Sequence, residues 1–333
     1  MVTYRGYKTQ IQYGAETSYG AGGVPAAAIE GRVQTITINE NNNLIRTMGL
    51  GEGRNETFVG LGNFDVNWSM EYLPASFEFL QFAFSPVAGS GTTAAPYYLE
   101  ESDFTGYTST NMKSCALEVA ALGSTNDVET ISGVVINTIG FSLNVGEALK
   151  VTLEGLGKTV LHTTSPTAFT VNSIKPWIFS QGNFRWNGNI VARITNATIN
   201  INNNIDPEVG RQIGSRFPEA MEFGARKYDW VLTVKMTDTV ATTLRDHFYG
   251  IVNQPSFGIV TAENTLYDAI FELSEGLTSG LRNAQIKLAS CAINDISKPI
   301  NIGDNIVELT INGTAKHATT DTVNKVIKWW TVT

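Results

Sequence analysis

Two stretches decide the fold: Phe64-Asp65-Val66-Asn67-Trp68-Ser69-Met70-Glu71-Tyr72 and Tyr228-Asp229-Trp230-Val231-Leu232-Thr233-Val234-Lys235-Met236. In each, apolar side chains alternate with others over nine residues. This is the signature of a strand with one buried face. The segments C-terminal to the two strands also match. Phe77, Leu80 and Phe84 form an i, i+3, i+7 stripe after Pro74, which predicts a helix over 75–84. Asp238 or Thr239 can N-cap a corresponding helix bearing Ala241, Leu244 and Phe248. An offset of 164 carries Phe64 to Tyr228, Leu80 to Leu244 and Phe84 to Phe248 without a gap.

The flanks extend the repeat. Ile36-Thr37-Ile38-Asn39-Glu40-Asn41-Asn42 resembles Ile199-Asn200-Ile201-Asn202-Asn203-Asn204, each an alternating strand running into an Asn-rich turn. Val145-Gly146-Glu147 and Ile302-Gly303-Asp304 make turns before a last alternating strand. The reading is an all-β chain with short helices, built as two tandem domains each with one flanking helix. The first is expected over 1–163, with an N-terminal arm and an inserted loop at 86–106. Beyond it come a linker over 164–186, a second domain over 187–317 and a polar tail over 318–333. Residues 40–63 and 203–227 read as long loops without apolar pattern, carrying Arg46, Arg54, Arg211, Arg216 and Arg226. Loops of that length are often functional. The paired Trp329 and Trp330 of the tail require a surface to cover them.

The 333 residues suffice for two cores, and 42% are apolar. Only 16% are charged, below the usual quarter, which suits a surface covered by copies of itself. The net charge of -8 arises in the first half: residues 1–163 hold 8 Lys/Arg against 16 Asp/Glu, residues 164–333 hold 15 of each. An acidic chain does not wrap nucleic acid by neutralising phosphates, although it can line a channel along which DNA slides. Cys115 and Cys291 sit in apolar runs and are expected as buried free thiols, in keeping with a reducing cytosol. The N-terminus lacks the apolar core of a signal peptide, and no membrane span is expected.

Catalytic chemistry finds little support. His162, His247 and His317 are the only histidines, and none follows a nucleophile elbow. No metal-ligand spacing occurs, and the Asn-rich turns lack the carboxylates calcium prefers. Gly49-Leu50-Gly51-Glu52-Gly53-Arg54 has no Lys-Ser/Thr end and reads as a turn rather than a phosphate loop. Glu100-Glu101 and Asp127/Glu129 are the densest carboxylates and read as solvated charge. Trp68 and Trp230 alternate at core positions. Asn55, Asn67, Asn196 and Asn312 stand in glycosylation-type triplets, as expected by chance in an Asn/Thr-rich chain. No catalytic, cofactor-binding or metal-binding residue is expected, and the chain reads as an assembly subunit.

Gly14-Ala15-Glu16-Thr17-Ser18-Tyr19-Gly20 resembles the opening of major tail tube proteins of long-tailed phages and related archaeal viruses. So does the order of elements after it: a strand at Ile36 to Asn39, a long Arg/Gly loop, the strand Phe64 to Tyr72 and the short helix Ala75 to Phe84. The resemblance implies β-sandwich or half-barrel domains whose sheets join side by side into a ring. Rings then stack into a tube in the virion tail that passes DNA, with loops 40–63 and 203–227 reaching neighbours. Two domains per chain imply that three chains supply six domains, giving a pseudo-sixfold ring of acidic and neutral domains. The alternative is a β-rich tail-tip, baseplate or cell-surface module that recognises a glycan or receptor.

Overall fold

The computed structural model describes residues 6–47, 58–100, 114–170, 174–191, 194–235, 248, 267–300, 307–316 and 325–333. The first half supplies β1 (Thr9–Ala15), β2 (Ala27–Ala28), β3 (Gly31–Asn41), β4 (Ile45–Thr47), β5 (Phe58–Gly60), β6 (Asp65–Pro74), β7 (Tyr97–Glu100), β8 (Cys115–Ala121), β9 (Asp127–Asn144), β10 (Lys150–Gly157) and β11 (Thr159–Thr163). The second supplies β12 (Gly182–Trp186), β13 (Asn189–Ile190), β14 (Ile194–Asn202), β15 (Ile205–Asp206), β16 (Glu222–Phe223), β17 (Lys227–Lys235), β18 (Tyr267–Ser274), β19 (Arg282–Ser297), β20 (Glu308–Ala315) and β21 (Lys325–Thr331). The protein is all-β, and every strand pairing among the described residues is antiparallel.

The pairings recur. In the first half β1 joins β2 and β8, β8 joins β9, β9 joins β10 and β11, β10 joins β6, and β6 joins β3. In the second, β12 joins β13 and β18, β18 joins β19, β19 joins β20 and β21, β20 joins β17, and β17 joins β14. Each half also carries one small hairpin, β4–β5 or β15–β16. Irregularities repeat as well. A bulge follows Val33 in β3 and Ile194 in β14, and another sits at Asn137 in β9 and Asn294 in β19. Gly133 and Ser290 take the left-handed conformation where the two long strands bend (φ 70° and 51°).

The register is fixed by two glycines. Trp68 stands opposite Gly155, and Trp230 opposite Gly313. A Cβ on Gly155 would lie 2.6 Å from the Trp68 ring, and one on Gly313 2.2 Å from the Trp230 ring. Each indole therefore lies flat over its glycine. Trp68 corresponds to Trp230, which corrects the offset of 164 by two residues. A two-residue slip keeps every side chain on its face, so alternation alone does not detect it.

Val66, Trp68, Met70 and Tyr72 of β6, with Trp230, Leu232 and Val234 of β17, enter one hydrophobic core that runs through both halves. Beyond Gly133, the first part of β9 leaves the long sheet and pairs with β8 and β11, so that Leu117 and Ile131 enter the same core.

Several expectations are corrected. The helix over 75–84 is a 3-10 turn, Glu78–Phe82, with Phe77, Phe79, Leu80 and Phe82 all buried. Within the turn only Glu78 and Gln81 keep partial exposure, so buried apolar side chains leave too narrow a solvent face for an amphipathic helix. Of its counterpart, Phe248 is helical and Ala241 and Leu244 lie outside the described residues. The N-terminal arm contains β1, and the inserted loop contains β7, which pairs with β21 of the polar tail. Trp329 is covered there by Phe77 and Tyr97, with ring centroids 6.1 and 5.6 Å away. Gly182–Trp186, within the stretch expected as linker, is β12 and takes the place that β1 has in the first half.

Candidate assembly interface

One seam joins the halves into a single sheet. β14 pairs with β9 from Asn196 opposite Asn144 to Asn202 opposite Thr138, giving the continuous order β3-β6-β10-β9-β14-β17-β20-β19. At the end of the seam the Asn-rich turn locks in. Asn137 sits in the β9 bulge, where its carbonyl accepts the Asn203 N–H (2.8 Å) and its side-chain oxygen accepts the Ile205 N–H (2.9 Å). The Asn203 amide donates to the carbonyl of Ile136 (2.8 Å), and Arg226 donates to its oxygen (2.6 Å). Asn203 is 1% exposed, an amide whose burial depends on these bonds. Asn204 turns the chain in the left-handed conformation (φ 49°), its N–H donating to the side chain of Asn202 (2.8 Å).

The first half carries the same turn. Asn43 is left-handed (φ 43°), and its N–H donates to the side chain of Asn41 (3.0 Å). Among the described residues, β3 pairs only with β6, and Ala292–Ser297 of β19 only with β20. The eight-stranded sheet thus ends in two open edges. An open edge offers unpaired backbone groups to another chain.

The sheet face away from the core is polar. Thr37, Asn39, Asn67 and Ser69 near one edge and Thr198 and Asn200 at the seam populate it, interspersed with charge. By register this face carries Asp65, Glu71, Glu154, Asp229, Asp295 and Glu308 against Arg32, Lys150, Lys227 and Lys235. The balance is negative, and the difference between halves is small here. Most of the acidity of residues 1–163 lies elsewhere.

The two long loops are hairpins at one end of the sheet. Arg211 pairs with Asp65 and with Glu208 (3.0 Å), and Arg216 donates to the Gly62 carbonyl (2.8 Å) and the Asn42 side chain (2.7 Å). Ile205 and Met221 are buried with Tyr19 and Val135. Arg54 and residues 49–54 lie outside the described residues.

The residues weighed for chemistry stay apart. Exposed His162 reaches Glu40 (3.1 Å) and Glu129 (3.8 Å), with no nucleophile in that group. Burial raises the Glu129 carboxyl above its ordinary range. His247, His317 and Glu101 lie outside the described residues. Cys115 and Cys291 are buried free thiols, and burial pushes Cys291 up to about 12. No cluster of three metal-ligating side chains occurs among the described residues. Asn67, Asn196 and Asn312 lie on the open sheet face, and Asn55 outside the described residues. Sequence reading misses Asn137 and Asn294, whose bulge positions have no local signature.

Among curated proteins none matches the chain. The family model described as phage tail tube protein matches residues 6–315, and the chain belongs to that family.

Proposed function

We propose that three copies of the chain close into a pseudo-sixfold ring, and that such rings stack into the tube through which DNA leaves the virion. As a member of the tail tube family, the chain is a structural component of the virion tail. The observation that carries the ring is the eight-stranded sheet with core on one face, polar groups on the other and both outer edges open. Closure removes those edges. Three such sheets give roughly 24 strands, hence a backbone circumference of about 115 Å before strand tilt widens it. That opening admits a duplex.

In this reading the polar face lines the channel. Its excess of carboxylates repels phosphates, so DNA slides without sticking. Each chain contributes two tube-type units, one on either side of the β9–β14 seam. The hairpin loops within 40–63 and 203–227 reach the next ring in the stack, and other tail proteins meet the tube ends. Native mass measurement of released rings tests this: three chains are expected, and six full chains would refute the stoichiometry. Lys and Arg dominating the channel wall of an assembled tube would refute the sliding surface.

A further inference from the structure

We propose that neighbouring chains join through a second copy of the seam already present inside each chain. β3 of one chain takes the place of β14, and the end of β19 of the next takes the place of β9. The inference rests on the ring reading above and adds the partner strands, their direction and their register.

The internal seam provides the template. β3 and β14 are superposable by their shared bulge and by the left-handed Asn43 and Asn204 at their ends. β9 and β19 are superposable by the bend at Gly133 and Ser290 and by the bulge at Asn137 and Asn294. Inside the chain, Asn200 faces Gly140, Ile201 faces Ile139 and Asn202 faces Thr138. Transferring these pairs by the two superpositions sets Asn39 opposite Ser297, Glu40 opposite Ile296 and Asn41 opposite Asp295 of the neighbour. In the same transfer Asn294 offers its carbonyl and side-chain oxygen to the N–H groups of Asn42 and Leu44, as Asn137 does to Asn203 and Ile205.

Exposure agrees with a missing partner. Leu44 and Leu61 occupy the positions of Ile205 and Phe223 in the matching hairpin. Ile205 is buried against the first half at 8% exposure, whereas Leu44 and Leu61 are 46% and 59% exposed. At the other edge Ile300 is 68% exposed. On the core-facing side of β3, Ile36 and Ile38 are half-buried, and the corresponding Ala197 and Ile199 are buried. Leu44, Ile36 and Ile38 thus have counterparts in Ile205, Ala197 and Ile199 that the internal seam covers. The contact is head-to-tail, so it repeats around a ring rather than closing in a pair.

Cysteine pairs test it, because residues directly opposite across antiparallel strands lie within disulfide reach. Cys115 and Cys291 are 0% exposed and give little background. N39C/S297C chains, assembled and then oxidised, are expected to give covalent trimers on a denaturing gel without reductant. Mixed N39C and S297C single variants are expected to yield dimers that neither gives alone. Cross-linking of N39C to itself would overturn the head-to-tail pairing. Cross-linking of N39C to D295C in place of S297C would overturn the register while leaving rings intact. Wild-type chains that stay monomeric would overturn both the seam and the ring reading. As a second variant, N294A is expected to reduce assembly at least tenfold with unchanged circular dichroism and melting. N294A assembling as wild type would overturn the role of the bulge.

Discussion

At the residue scale, the N-terminal motif has a plain physical role. Glu16 is 8% exposed, and its carboxylate accepts the N–H groups of Gly20 (3.0 Å), Gly22 (3.1 Å) and Gly133 (3.0 Å) and the Ser114 hydroxyl (2.5 Å). It ties the end of β1 to the bend of β9. Glu16→Ala strands those donors and is expected to cost about 2–4 kcal/mol in denaturant unfolding, with Glu16→Gln in between. A loss below about 0.5 kcal/mol would contradict this account. Glu30 behaves oppositely. Burial first, then the nearby Glu78 carboxylate, raise its carboxyl from 4.5 to about 7, and Tyr13 donates to it at 3.0 Å. A carboxyl raised on folding contributes stability that is full below its unfolded value and lost as pH climbs through its folded value. Wild type is therefore expected to lose about 1–2 kcal/mol between pH 4.5 and about 7, with partial solvent exposure allowed for. Glu30→Gln is expected to flatten that decline; equal slopes for the two proteins would refute it.

At the element scale, period two is enough to find β6 and β17, because each buries one face against a continuous core. Their partners are harder to read. β7 and β21 are short, one lies in a Gly/Ser-rich stretch and one in a polar tail, and β7 is a strand through its pairing with β21, which β19 holds on its other side. The segment after β6 carries a helical period, yet Phe79 and Phe82 are buried beside Phe77 and Leu80, so tertiary packing selects a tight 3-10 turn. The Asn-rich turns are visible as composition, while their function depends on bulges at Asn137 and Asn294 that no local pattern marks. The glycines beneath the indoles are legible only once strand pairing is known. A Cβ at Gly155 would also lie 2.1 Å from the Val135 carbonyl, and at Gly313 2.4 Å from that of Ala292. Backbone cannot yield as a side-chain tip can. Gly155→Ala and Gly313→Ala are each expected to destabilise by about 2–3 kcal/mol, in the range of overpacked cores. Equal damage at both sites would follow from their equivalence, and a neutral Gly313→Ala would break it.

At the scale of the whole molecule, the two halves repeat in pairing but are not separable in packing. One core spans them. β21, the last strand of the second half, pairs with β7 of the first, placing Trp329 against Phe77. Trp177, 1% exposed, lies between the halves: its backbone N–H donates to the Pro74 carbonyl (3.1 Å), its carbonyl accepts the Leu149 N–H (2.9 Å), and Arg282 stacks on its ring at 4.7 Å. Arg282 in turn donates to the carbonyls of Ala75 (3.2 Å) and Lys175 (2.8 Å). Cutting the chain between the halves would expose the β9 edge that β14 covers, Asn137 without its turn, and the apolar side chains beneath Trp177 and Trp329. Loss of three or four large buried side chains exceeds about 5 kcal/mol at the usual 1.5–3 kcal/mol each, comparable to the total stability of a domain. Neither half is therefore expected to hold a folded state in which the other is unfolded. Heating unassembled chains is expected to give one calorimetric transition whose van't Hoff and calorimetric enthalpies agree. Two resolved transitions, or a stable folded fragment 1–163, would show that the internal seam is an interface between independent domains. The same seam would then be weak between chains as well, and ring closure would have to draw its stability from contacts other than the paired edges.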